Sequence, residues 1–275
     1  MIIQHNIAAI NSYRNLGVNQ SSLNKNLEKL SSGYRINRAG DDAAGLAISE
    51  TMRSQINGLN QAVTNANDAI GLIQTAEGAL TETHSMLQRL TTLATQSANG
   101  TYNSVARENI QIEVNRLLEE IDRIANYTDF NGIKPLKAGN SISQMTFQIG
   151  PSAQETIKVN TSNMGTGGLN LSSTNSVNLR RLSTSNSAIT AIKNAINTVS
   201  KYRAQLGAAQ NRLEHTVNNL KVTSENITAA ESRIRDTDMA DEITAFTKNN
   251  ILLQASQSML AQSNSVPQSV LSLLG

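Results

Sequence analysis

The sequence predicts a mainly α protein: a long antiparallel helical bundle of coiled-coil character, with a small β-hairpin region and with its N- and C-terminal helices pairing. Three observations predict it. Apolar residues recur in a three-four alternation over two very long stretches, from Met52 to Leu93 and from Ile189 to Ile234, which lays them along one side of a helix. Both chain ends carry a narrower stripe of the same kind, with no neighbouring segment to bury it. The composition is 39% hydrophobic and 3% aromatic, with no Trp and no Cys, so large side chains are too few for a thick core and favour a thin one.

Each element follows from its residues. Near the start, Leu16, Leu23, Leu27, Leu30 and Tyr34 are spaced by seven, four, three and four, a single seam on one helix. Ser31 to Asp42 is turn-rich, with Gly33 and Gly40 as breaks and Arg35, Arg38, Asp41 and Asp42 as its charges. The spacing then predicts a helix over about 46–98, through Ile56, Leu59, Val63, Ala66, Ile70 and Ile73 and onward through Leu80, Leu87, Leu90 and Leu93. Asn99-Gly100 ends it. A second helix over 104–126 carries Ile110, Val114, Leu117, Ile121 and Ile124, and the short link folds it back antiparallel on the first. Between 128 and 178 the composition turns to Ser, Thr, Asn and Gly; alternation of Met145, Phe147 and Ile149, a Gly150-Pro151 break, and Ile157 with Val159 predict a β-hairpin. From Leu182 a helix as long as the first runs to about Ile234. Asp236, Asp238 and Asp241 supply start chemistry for a last helix, whose stripe is Leu252, Met259, Val266, Val270 and Leu273.

Charge and composition bound the function. A formal charge of +2 with scattered basic residues does not point to nucleic acid, and no apolar run is long enough to cross a bilayer. Met1 to Gln4 lack a basic n-region, so no cleavable export leader is expected. The absence of Cys excludes disulfides and thiolate metal sites, and suits a chain that crosses redox compartments. No catalytic, cofactor or metal site is predicted. Glu119 and Glu120 point about 100° apart on a helix and read as a solvated face. Asp41 and Asp42 read as a helix cap or as partners of Arg35 or Arg38. His5, His84 and His215 match no H-E-x-x-H pattern, "DTDMADE" lacks the Gly and Glu of a calcium loop, and "GTGGL" has no strand-to-helix context.

Residues 27–90, "LEKLSSGYRINRAGDDAAGLAISETMRSQINGLNQAVTNANDAIGLIQTAEGALTETHSMLQRL", closely resemble the amino-terminal region of bacterial flagellins. "TDFNGIKPL" resembles a turn of the same family, and "SMLAQSNSVPQSVLSLLG" its carboxy-terminus. The resemblance spans roughly 1–136 and 180–275. It implies a short, non-enzymatic flagellin lacking large outer domains. Residues 1–45 with 236–275 would form a terminal helical inner-core domain, 46–136 with 177–235 a long-helix bundle domain, and 137–176 a short variable hairpin and loop region. It also implies export in an unfolded state through the flagellar type III apparatus with an export chaperone, and helical polymerisation beneath a cap and beyond junction proteins. The product would be an extracellular flagellar filament. The terminal seams, Leu16, Leu23, Leu27, Leu30, Leu252, Met259, Val266, Val270 and Leu273, would drive polymerisation. Isolated ends bury too little to offset their backbone entropy, so they are expected to order on assembly.

Gln88, Arg89 and Leu93, with Glu113, match a surface by which flagellins resemble ligands of Toll-like receptor five. The same face could equally pack neighbouring subunits. Where receptor-activating relatives carry an Arg beyond the Glu, this chain has Leu117, with Arg116 one place earlier, and one place turns a helical side chain by about 100°. A hook-filament junction protein and a secreted helical effector or adaptor are the alternative readings.

Overall fold

The computed structural model describes residues 6–137, 144–172 and 177–274, with side chains as far as residue 269. Five helices and one hairpin follow in order: α1 (Ile7–Ser32), α2 (Ala43–Ser97), α3 (Ser104–Tyr127), β1 (Gln144–Gln148), β2 (Thr156–Asn160), α4 (Leu182–Arg235) and α5 (Met239–Leu274). The helix bounds predicted from the apolar alternation agree with these to within a few residues, and the hairpin falls where alternation predicted it. The chain divides into two compact units, residues 57–224 and residues 1–56 with 225–275, so the division falls inside α2 and α4.

In the unit of residues 57–224, the apolar stripes interlock. Ile73, Leu80, Leu87 and Leu90 of α2, Val114 and Ile121 of α3, and Ile192, Val199, Leu206 and Leu213 of α4 are fully buried together. Leu117, chosen from sequence for the α3 stripe, is only half-buried, and Leu118 beside it is the core residue. The fold-back after α2 is fixed at its tip. Asn103 caps α3 through its Oδ1, which accepts from Ala106 N at 2.8 Å, and Arg107 donates to the main-chain oxygens of Ser97 and Asn99, both at 3.1 Å. Buried polar groups tie the chain leading into α4 to this end. Gln111 Nε2 donates to Val177 O at 3.1 Å while its Oε1 accepts from Leu179 N at 2.6 Å, and Ser97 Oγ donates to Leu179 O at 2.6 Å. Such pairing removes the cost of burying an amide in an apolar setting.

β1 and β2 pair antiparallel, with Met145 opposite Val159 and Phe147 opposite Ile157. Met145, Ile157 and Val159 turn inward to the shared core, as a period of two requires. After α3, Asn131 and Gly132 adopt positive φ of 52° and 83°, the turn conformation that Asn and Gly tolerate. The "GTGGL" segment is a loop held by Asp122, whose carboxylate accepts from Thr166 N and Oγ1, each at 2.7 Å. Burial pushes the Tyr202 phenol up to about 12.

In the unit of residues 1–56 with 225–275, α1 and α5 run antiparallel and pack on one another. Asn6 caps α1 by accepting from Ala9 N at 3.1 Å, and Gly33, at φ 74°, closes it with its N–H on Lys29 O. The two connecting turns clasp. Arg35 N donates to Arg235 O at 2.7 Å, and Thr237 N to Gly33 O at 3.0 Å. The Arg235 guanidinium lies over the Tyr34 ring, 4.8 Å from its centroid, and donates to Glu50 Oε1 at 2.5 Å. That bond holds the Glu50 carboxyl below its ordinary range.

The acidic pairs behave as caps and solvated partners. Asp42 Oδ1 accepts from Gly45 N at 2.9 Å, starting α2. Asp41 accepts from the main-chain N–H groups of Arg38 and Asn37, which lower its pKa. Neither aspartate takes an arginine side chain: Arg38 pairs with Glu28 at 2.8 Å, and Arg35 donates to Ile234 O at 2.6 Å. Asp238 caps α5 by accepting from Ala240 N at 2.9 Å. Glu119 and Glu120 face solvent with Arg116 and Arg123 as partners at 2.8 and 2.5 Å. His84 is half-buried and lies 3.1 Å from Gln88 through its Nε2; His5 lies outside the described residues.

Candidate assembly surface

The α1–α5 pair combines polar contacts with a few leucines. Asn6 Nδ2 donates to Ser263 O at 2.8 Å, Asn19 Nδ2 to Ser256 Oγ at 2.8 Å, and Lys29 meets Glu242 at 3.7 Å. On α5, Asn249, Leu253, Ser256, Leu260 and Ser263 are half-buried, a three-four alternation that puts them on one face. Of the N-terminal seam, Leu23 is buried, Leu16 and Leu30 are half-buried, and Leu27 is 46% exposed.

The C-terminal seam does not face α1. Leu252 is 40% exposed, Met259 62% and Val266 43%. The heptad reading picked the largest apolar residues, whereas the face packed within the chain is displaced from them by one position, about 100° around the helix. The side chains of Val270 and Leu273 lie outside the described ones. Further apolar residues missed by the sequence reading join these on the surface: Ile7, Ile10, Tyr13 and Val18 on α1, and Ile243 and Ile251 on α5. The signal was present, since these helices carry more apolar residues than one contact face can take. One mixed face paired within the chain leaves a second, apolar stripe for another partner.

The second candidate surface lies on α2 and α3. Arg89 Nε and Nη2 both reach Glu113 Oε1 at 2.8 Å, and both side chains are about half exposed. Gln88 is exposed beside them. Leu93 does not share that surface: it is 2% exposed and belongs to the core. Arg116 is exposed and engaged with Glu119, while Leu117 packs against the core. Among the described residues no group of His, Asp and Glu is placed to hold a metal ion, and no helix is long and apolar enough to cross a membrane.

Paired chain ends with apolar residues left outward, and no metal-binding group among the described residues, fit the class of structural subunits that pack against other chains. Comparison with known proteins gives the family. The bacterial flagellin N-terminal helical region matches residues 3–141, and the bacterial flagellin C-terminal helical region matches residues 189–274. The flagellin of Bacillus subtilis (strain 168) is 52% identical over the whole of both chains, and that of Halalkalibacterium halodurans is 50% identical over the whole of both. Among solved structures, Bacillus cereus flagellin is 31% identical and superposes with a TM-score of 0.51, covering 61% of this chain and 94% of its own. The chain belongs to the bacterial flagellin family, in a short form. It is a non-enzymatic structural subunit that polymerises with itself into the extracellular flagellar filament.

Proposed function

We propose that the outward apolar faces of α1 and α5 are the polymerisation contacts, and that these helices order fully only when neighbouring subunits cover them. The observation that carries this is the concentration of exposed large apolar residues on α1 and α5, with Leu252, Met259 and Val266 turned away from the intramolecular pair. In this reading the segments 1–45 and 236–275 form the inner core of the filament and 46–136 with 177–235 surround it, with 137–176 as the variable part. Export runs unfolded through the flagellar type III apparatus, with a chaperone on the carboxy-terminal segment. Growth takes place beneath a cap on a base of junction proteins.

Seeded polymerisation followed by electron microscopy tests it. The full-length chain forms long filaments, and a Leu252→Asp/Met259→Asp variant remains monomeric with the helical signal of residues 57–224 retained. Filaments of normal length from the variant would overturn the assignment of these residues. Persistent monomers of the unaltered chain even with seeds would favour a junction or adaptor role.

A second reading rests on Gln88, Arg89 and Glu113. Their exposure on a single subunit makes them accessible to Toll-like receptor five in the monomer, with Leu93 supporting the surface from beneath. An Arg89→Ala monomer then loses receptor signalling in a reporter assay while polymer yield stays measurable; unchanged signalling would remove this site.

A further inference from the structure

Three Asn-Gly dipeptides occur in the chain, at 57–58, 99–100 and 131–132. Asn is among the heat-labile residues, and a following Gly is the least hindered neighbour for ring closure because it lacks a Cβ. The structure places the three in different surroundings. Asn57 and Gly58 are inside α2, where the Gly58 amide belongs to the helical ladder, and a Cβ on Gly58 would stand only 2.9 Å from Pro151. In the turn after α3, the Gly132 N–H donates to the Asp129 carboxylate at 3.1 Å. That bond opposes both removal of the amide proton and attack by the nitrogen.

Asn99 and Gly100 sit in the exposed turn between α2 and α3. The space around Gly100 is open, and among the described residues no hydrogen bond uses its N–H. Thr101 N donates to Asn99 Oδ1 at 3.4 Å, which polarises the side-chain carbonyl. The Asn99 main-chain oxygen is held by Tyr102 N at 3.4 Å and by Arg107 Nη2 at 3.1 Å, so the turn persists around the reacting groups.

We propose that Asn99 is a site of spontaneous self-modification, converting to aspartate and isoaspartate in the folded subunit faster than either other Asn-Gly pair. The Gly100 main-chain nitrogen attacks Asn99 Cγ and forms the N–Cγ bond of a five-membered succinimide. The Cγ–Nδ2 bond breaks, and the side-chain NH2 leaves as ammonia with the proton lost from the Gly100 nitrogen. Solvent water then opens the ring. Cleavage of N–Cγ gives Asp, and cleavage of the bond from that nitrogen to the Asn99 main-chain carbonyl gives isoaspartate; in each case hydroxyl goes to the carbonyl carbon and a proton to nitrogen. In the isoaspartate product the new carboxylate forms on the Asn99 main-chain carbonyl that the Arg107 guanidinium holds, which offsets its charge.

The test is peptide mapping by mass spectrometry of the purified full-length chain, incubated folded and, separately, in denaturant at the same mildly alkaline pH. Trypsin places Asn57, Asn99 and Asn131 in three different peptides. Loss of a hydrogen bond to a carboxylate corresponds to about ten- to a hundredfold in rate, and Asn99 is expected to outpace Asn131 by that range in the folded chain. In denaturant the three rates converge. A Gly100→Ala chain, for which the structure has room, loses the conversion at 99 and keeps that at 131. Conversion of Asn57 or Asn131 as fast as Asn99 in the folded chain would overturn the proposal. So would an Asn99 that reacts in denaturant and stays unchanged when folded.

Discussion

The unit of residues 57–224 and the unit formed by the chain ends use their apolar residues in opposite ways. In the first, most large apolar side chains of three helices and a hairpin turn inward to one core, with Val105, Ile112, Tyr127, Leu182 and Val222 left exposed. In the second, Leu23 and Ile36 are the buried large apolar residues among those described, beside buried Asn26 and Ser49, while Ile7, Ile10, Tyr13 and Val18 of α1 and Ile243, Ile251, Leu252, Met259 and Val266 of α5 stand outward. That exposure of Ile, Leu and Met is what the proposed assembly contacts rest on.

The largest effect comes from breaking that core. Leu87→Ala, at a fully buried position, is expected to cost about 2–5 kcal/mol, read as a lower urea midpoint for residues 57–224. Met259→Ala on the outer face of α5 leaves that midpoint unchanged and lowers polymer yield. A midpoint shift at Met259 as large as at Leu87 would erase the contrast.

Gln111 gives the next effect. Gln111→Leu keeps the bulk but leaves Val177 O and Leu179 N without their partner, at about 1–3 kcal/mol for each buried group left unsatisfied. Gln111→Glu, which retains the acceptor for Leu179 N, should recover part of the loss in the same urea titration.

The pH responses also separate the two units. For Tyr202 the folded pKa, about 12, lies above its ordinary 10.0. Its neutral form therefore supports the fold of residues 57–224 fully below the ordinary value, and that support is lost as pH rises from there towards 12. Ultraviolet titration should find one late-ionising tyrosine. In the clasp of the terminal unit, the Glu50 carboxyl is held low by Arg235, so its contribution is present above the ordinary carboxylate range and is lost as pH falls through the folded value. Faster amide exchange at Tyr34 and Thr237 on acidification is the expected readout.

The smallest effect is at the exposed Arg89–Glu113 pair, where Glu113→Gln should change stability by less than about 1 kcal/mol. A larger loss in thermal unfolding would make the pair a structural element of the bundle and not a surface feature.

Much of the fold was legible because the long helices bury one stripe apiece, and a three-four alternation reports one stripe well. The hairpin was legible through its period of two and the Gly150-Pro151 break. The face of α5 that meets α1 carries no strong sequence signal, because Ser256 and Ser263 lie on it while the more apolar stripe with Met259 faces outward. For Leu93 the apolar stripe points to the core, where it lies, and the receptor motif points to the surface, because a motif gives order along a helix without its rotation in the bundle. The Gln111 clamp had no sequence signal, since a helical Gln looks solvent-facing until residues 177–179, far along the chain, close over it.

The measurement that tests the contrast most directly is amide hydrogen exchange on dilute monomer and on filaments of the same full-length chain. Fast exchange along α1 and α5 in the monomer, strong protection there in the filament, and protection of residues 57–224 in both are the predicted result. Terminal helices in the monomer protected as strongly as the core would contradict it, because their stability would then owe nothing to neighbouring subunits.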